Sequence, residues 1–198
     1  MTMSKPSRLS KPGMSGLTLV EILVGLAVFS ILAAVAAPSM LGLLEKRRVI
    51  AAAEEVSGIL AYAKAETNSI NAPLVVRFDP DPSRAMSCAA VTTSGAGFAN
   101  KCRCYQDPAV ICKGAVAELL RLYQLPGSYV GFEAAGTWAG AANQIRFSRD
   151  QMTIDTTGFH VDVVGKKYGY KLSVEVNTAG RVKICSPNGD MSGYAKCA

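Results

Sequence analysis

Few side chains in this sequence could do chemistry, and they fall into three groups. The first is one carboxylate, Glu21, the only charged residue in the 28 positions from Leu17 to Leu44. The second is six cysteines, Cys88, Cys102, Cys104, Cys112, Cys185 and Cys197, all placed after that apolar run. An even number of cysteines confined to one side of an apolar stretch suits disulfides in an oxidising compartment. Spacing does not favour zinc, because no CxxC pair occurs and the single histidine, His160, lies far along the chain from the cysteines. Six cysteines allow about 15 pairings. Cys185 with Cys197 is the preferred bridge, since the tail between them carries Pro187, Gly189 and Gly193 and cannot hold itself by packing. Cys88, Cys102, Cys104 and Cys112 would supply two more, with the pairing open. The third group is basic: Arg181 and Lys183, with Lys171 on the preceding run.

Catalysis finds little support. In Phe159-His160-Val161-Asp162-Val163, strand alternation sends the apolar residues one way and His160 with Asp162 the other, toward solvent. A hydrolytic triad would need a serine and a buried setting, and neither is visible. No glycine loop of the kind that cradles phosphates is present. No enzyme activity, metal or cofactor is therefore expected. Trp138, flanked by Gly136 and Gly140, reads as a loop anchor or tip contact rather than a stacking platform.

The elements that position these groups begin with a short leader. Residues 1–16 are basic, free of acid and rich in Ser, Pro and Gly, and the character changes at Leu17. As a helix the 28-residue run would be about 42 Å long, enough to cross a hydrocarbon core of about 30 Å. The positive leader should remain cytoplasmic and the remainder face outward. Of the 21 basic residues, Lys5, Arg8 and Lys11 belong to this leader; without it 18 basic face 15 acidic residues. A surplus that small does not by itself argue for nucleic acid. Three readings of the run compete: a secretory signal cut near Ala34-Val35-Ala36, a plain membrane anchor, and a processed filament helix.

The third rests on Ser15-Gly16-Leu17-Thr18-Leu19-Val20-Glu21, which resembles the cleavage motif of type IV prepilins and pseudopilins. The resemblance implies cleavage after Gly16 by a membrane aspartyl peptidase and N-methylation of Leu17 by the same prepilin peptidase/methyltransferase. Leu17 departs from the Phe or Met more frequent in that family. It also gives Glu21 a task in filament assembly. The amine freed at Leu17 is a cation in a nearly dry setting, where an isolated charge is costly; Glu21 of a neighbouring, axially staggered subunit can pair with it. Gly25, Ser30, Ala33, Ala34, Ala36 and Ala37 allow close helix approach. Pro38 removes a backbone bond, and with Gly42 it should kink or loosen the helix.

After Glu45-Lys46-Arg47-Arg48 the helical pattern continues. Val49, Ala52, Ala53, Val56, Ile59, Leu60, Ala63, Thr67 and Ile70 form one stripe that needs a surface to cover, until Asn71-Ala72-Pro73 stops the helix. Beyond lie short runs of β type: Leu74–Asp79, Ala85–Thr92, Leu119–Leu125, Tyr129–Glu133, Gln144–Phe147, Met152–Thr156, Phe159–Val164, Tyr168–Asn177 and Arg181–Cys185. The expected organisation is a leader, 1–16; an apolar transmembrane or filament helix, 17–44; its amphipathic continuation, 45–72; and a β-rich domain, 73–198.

The segment ending Ala63-Lys64-Ala65-Glu66, then Pro73-Leu74-Val75-Val76, and the terminal Thr178-Ala179-Gly180-Arg181-Val182-Lys183-Ile184-Cys185 resemble the GspH/FimT family of minor pilins and pseudopilins. That resemblance implies an α+β fold with the long helix packed on antiparallel sheets. It implies a type IV pilus minor pilin or, alternatively, a GspH-like pseudopilin of type II secretion. The expected partners are other pilin or pseudopilin subunits and the peptidase. The expected location is the bacterial inner membrane with the domain periplasmic, then a periplasmic pseudopilus or an extracellular pilus. Some members take part in DNA uptake and look to carry Gly-Arg-x-Arg on the same hairpin; here Lys183 stands at the fourth position. Lysine keeps the charge that a phosphate needs and loses the guanidinium's two-pronged geometry. DNA is therefore a second candidate partner.

Overall fold

The computed structural model describes residues 18–79, 83, 85–93, 102–109, 111–112, 117–138, 141–148 and 158–197; at 37–38, 137–138 and 141–142 it describes the backbone alone. The fold is α+β: one N-terminal helix, α1 (Leu19–Ile70), is followed by antiparallel sheets. Two compact units divide the chain between Met40 and Leu41. In the first, described from Thr18 onward, every residue whose side chain is described is exposed, and Leu19–Ala36 is long and apolar enough to cross a membrane.

In the second unit the helix carries the stripe that its spacing dictates. Val49, Ala53, Val56, Ile59, Leu60 and Ala63 are fully buried, and Thr67 nearly so, its hydroxyl turned back to Ala63 O at 2.8 Å. Burying a valine, isoleucine or leucine side chain stabilises by about 1.5–3 kcal/mol, so the stripe sets where the helix docks. Ile70 closes the stripe by sequence but is 41% exposed, because the helix ends there. Asn71 takes a left-handed turn (φ 53°), a conformation asparagine adopts more readily than most residues, and Pro73 prevents resumption.

The strands are β1 (Leu74–Arg77), β2 (Met86–Thr93), β3 (Leu119–Pro126), β4 (Val130–Ala135), β5 (Thr137–Trp138), β6 (Ala141–Ala142), β7 (Gln144–Phe147), β8 (Phe159–Gly165), β9 (Lys171–Val176) and β10 (Val182–Cys185). They build two four-stranded antiparallel sheets, ordered β3-β2-β1-β7 and β10-β9-β8-β4, plus the small β5-β6 pair. The sequence-based reading of 152–156 as a strand lies outside the described residues. Tyr168–Tyr170, read as the start of a strand, belong to the turn before β9, which begins at Lys171.

One core joins the helix stripe to a face of each large sheet. It takes Leu74, Val76, Ala89, Val91 and Ile145 from the first sheet and Phe159, Val161, Val163, Leu172 and Val174 from the second. Phe78 bridges the sheets, its ring 6.3 Å from Phe132 and 6.2 Å from Phe159. Alternation along β8 is strict, with Phe159, Val161, Val163 and Gly165 buried and the residues between them half-buried.

β1 and β2 do not alternate; all four residues of β1 are buried. Their second face is covered by the cysteine-bearing segment, with Cys102, Ile111, Cys112 and Ala117 on Val75 and Cys104 on Cys88 and Ala90. Disulfides join Cys88 to Cys104, Cys102 to Cys112 and Cys185 to Cys197. Over its described part, the segment that carries Cys102, Cys104 and Cys112 is thus a covering layer on the first sheet.

Candidate functional site

Glu21 sits in the first turn of α1 beside the helix's N-cap. Thr18 donates to the Glu21 carboxylate from both its backbone N–H and its hydroxyl, each at 3.0 Å, and its hydroxyl oxygen accepts the Glu21 N–H at 3.2 Å. This reciprocal arrangement is a capping box, in which the side chains at the two ends of the first turn satisfy each other's otherwise unpaired N–H groups. The carboxylate is exposed and held by a neighbour three residues away in its own helix. From Leu19 to Val35 the large apolar residues are 52–74% exposed, Val35 at 74% and Phe29 at 69% among them. Such a surface is far beyond what a soluble protein leaves to water; it needs lipid or other helices around it. Gly16 and Leu17, where cleavage and methylation are expected, lie outside the described residues.

The helical backbone runs on unbroken through Pro38 and Gly42. Gly42 has a neighbour: a side chain there would meet the Tyr170 hydroxyl at 3.6 Å. Three residues on, Glu45 is 6% exposed and its two oxygens accept the N–H groups of Lys167 (2.9 Å) and Tyr168 (2.8 Å) in the β8–β9 turn. Gly165 leaves room for that carboxylate, which would collide with any side chain at 165. Sequence reasoning took Glu45 for the polar end of an apolar run. A single acid followed by three cations carries no signal about a partner 122 residues away.

At the other end of the second sheet lies the hairpin that bears Arg181 and Lys183. Its turn closes through Asn177 N–H to Arg181 O (3.1 Å) and Gly180 N–H to Asn177 O (2.8 Å), and the Asn177 side chain accepts the Arg181 N–H at 2.8 Å. Gly180 has φ +66°, the left-handed region this turn requires. Lys64 of α1 caps the turn, donating to Ala179 O at 2.8 Å and Gly180 O at 3.2 Å.

Arg181 and Lys183 are exposed and border an open cleft of about 580 Å³ with His160, Glu175, Asn177 and Thr178. Lys183 stands directly across from Glu175, and His160 is Glu175's partner on the other side. Lys171 is not brought to them: it ion-pairs with Asp162 at 2.6 Å, toward the opposite end of β9. Glu175 also lies within 4.8 Å of the Cys185 and Cys197 sulfurs, which are bonded to each other and so are not thiolate ligands.

Beside the first sheet lies a buried ion cluster that no sequence pattern signals. Asp79, 5% exposed, accepts from Arg77 Nε at 2.6 Å, Arg103 at 3.0 Å and Cys104 N–H at 3.1 Å. It fastens the disulfide-stapled segment to β1. Trp138 is described by its backbone only, in β5.

An α+β chain that begins with an exposed apolar helix and has one carboxylate in its first turn is the architecture of a pilin-like membrane subunit. Residues 12–37 match the prokaryotic N-terminal methylation motif, which marks the chain as a prepilin of the type IV pilin and pseudopilin kind, anchored in the membrane by that helix. Such a motif implies processing by prepilin peptidase and assembly with other pilins. The match spans the leader and the front of the helix and none of the globular domain. No curated protein and no solved structure matches the chain.

Proposed function

We propose that this chain is a minor pilin of a type IV pilus, a structural and not an enzymatic subunit, cut after Gly16, methylated on Leu17 and incorporated near the start or cap of a filament. The observation that carries the reading is the exposed apolar front of α1, Leu19–Ala36, with its single carboxylate, Glu21, in the first turn. Before assembly Glu21 is satisfied by Thr18. In a filament the methylated amine of a neighbour would compete for it, and a charged pair in a dry setting outweighs a neutral hydroxyl. The cysteine-stapled layer and the small basic hairpin give the domain a specialised surface, which suits a low-copy subunit better than a repeating one.

Glu21→Val tests this in the native host. The variant is expected to be processed and to remain in the inner membrane, and to be missing from sheared filaments. Normal incorporation would overturn the assembly role. A GspH-like pseudopilin of type II secretion uses the same helix physics; deletion of the gene separates the two, by loss of pili or by loss of exoprotein release.

DNA binding during uptake is favoured by one observation, the exposure of Arg181 and Lys183 beside a cleft. Glu175 facing Lys183 weakens the local positive field. Arg181→Ala with Lys183→Ala should abolish a gel shift if this face holds phosphate, and an unchanged shift disposes of the idea.

A further inference from the structure

Four cations, Lys46, Arg48, Lys166 and Lys167, gather around the β8–β9 turn, at the end of the second sheet away from Arg181 and Lys183. Lys46, Arg47 and Arg48 follow the apolar run directly, within about 3 to 6 Å of helix rise beyond Leu44. Lys166 and Lys167 come to the same level because Glu45 holds the N–H groups of Lys167 and Tyr168. Gly131 lets the Lys166 amine lie across β4, and Lys166 N–H donates to Tyr129 O at 3.2 Å.

Tyrosines are interleaved with these cations. Lys46 stands 4.6 Å from the centre of the Tyr170 ring, Arg48 4.2 Å from Tyr129 and Lys167 5.5 Å from Tyr168. Tyr129 and Tyr168 remain 47% and 42% exposed, and Lys166, Lys167, Arg47 and Arg48 are exposed too. The only carboxylate in residues 41–48, 127–131 and 165–171 is Glu45, which is buried and occupied by backbone donors.

A solvated protein surface commonly mixes its charges. Here one sign dominates, tyrosines lie among the cations, and the patch starts where an apolar membrane-length run stops. Tyrosine is favoured at the headgroup level of a bilayer, and juxtamembrane lysine and arginine clusters are attracted to anionic lipid. We propose that this face, Lys46, Arg48, Tyr129, Lys166, Lys167 and Tyr168, docks on anionic phospholipid headgroups of the membrane surface and holds the domain there until the helix is drawn into a filament. The proposal rests on the membrane-anchored reading of the helix.

The test uses the full-length protein reconstituted into vesicles of phosphatidylcholine alone or mixed with phosphatidylglycerol, with lysine acylation rates read by mass spectrometry. Flotation with both vesicle types checks the anchor by itself; failure to float overturns the membrane reading and not merely this one. In the anionic vesicles Lys46, Lys166 and Lys167 are expected to react about fivefold more slowly, Lys183 and Lys196 at unchanged rates, and the difference to vanish in high salt. In Lys166→Gln with Lys167→Gln, whose exposed side chains should not be needed for folding, the protection of Lys46 is expected to fall. Equal rates in the two lipids, or equal protection in phosphatidylcholine alone from contacts between protein copies, would overturn the proposal.

Discussion

Glu45 and Lys64 lie on one helix, about 28 Å apart by helix rise, and each holds the backbone of a different turn of the second sheet. Glu45 accepts two N–H groups from the β8–β9 turn, and Lys64 donates to two carbonyls of the β9–β10 turn. Between them the buried stripe from Val49 to Ala63 supplies most of the cohesion without direction, since apolar contact does not fix register along the helix axis. The two polar ties do fix it, one at each end of the sheet.

Breaking the first tie should be costly. Glu45→Ala leaves the Lys167 and Tyr168 N–H groups in a partly buried turn without their acceptor, and a loss of about 2–4 kcal/mol is expected from two hydrogen bonds to a charged group. Gly165→Ala should reproduce part of that loss by displacing the carboxylate while leaving Glu45 in place. Denaturant titration of the detergent-solubilised protein measures both. A double variant no worse than Glu45→Ala alone is the signature of a shared mechanism.

The second tie is more exposed, and Lys64→Met keeps the apolar stem. About 0.5–1.5 kcal/mol of stability is expected to go, together with faster hydrogen exchange at Gly180 and Arg181. Exchange in the β8–β9 turn should stay as it was. A uniform change across both turns would show that the lysine acts on the whole domain and not on its hairpin.

Asp79 is the next sensitive point. Asp79→Asn removes the charge that two arginines and a backbone N–H share in a nearly dry site, and a loss of about 3–5 kcal/mol is expected. Because Arg103 and Cys104 belong to the covering layer, proteolysis between Cys104 and Cys112 should rise before the sheets themselves unfold. Unaltered protease resistance would show that the disulfides, the apolar contacts and Gln124 hold the layer without Asp79.

Alkaline behaviour follows from two tyrosines. Desolvation first, and then the Glu55 charge, raise the Tyr123 pKa; desolvation first, then the charge of Glu54 and a hydrogen bond to it, raise that of Tyr194. For a group whose folded pKa is raised, the stabilisation is fully present below the unfolded tyrosine value of about 10 and is lost as pH climbs through the folded value. Stability should therefore decline above about pH 10, and less steeply in Tyr123→Phe. Ultraviolet titration of phenolate formation should show this residue ionising after the exposed tyrosines.

The spacing of apolar residues determined a good deal by itself. Leu17 to Leu44 with one acid specifies a membrane-competent helix, the stripe from Val49 to Thr67 specifies which face docks, and the alternation of Phe159, Val161 and Val163 specifies a half-covered strand. These are local patterns: each residue's neighbours in sequence are also its neighbours on a face, so periodicity reports burial directly. The tertiary structure alone decided the rest. Glu45 with Lys167, Lys64 with Ala179, and Asp79 with Arg103 join residues 24 to 122 positions apart. Polar ties of this kind have no period, and one charge looks like any other until the fold brings its partner within hydrogen-bond range. The place of the cysteine segment was decided in the same way: β1 and β2 are buried on both faces, one by the core under the helix and the other by that segment, and only the fold brings Cys102, Cys104 and Cys112 over Val75, Cys88 and Ala90.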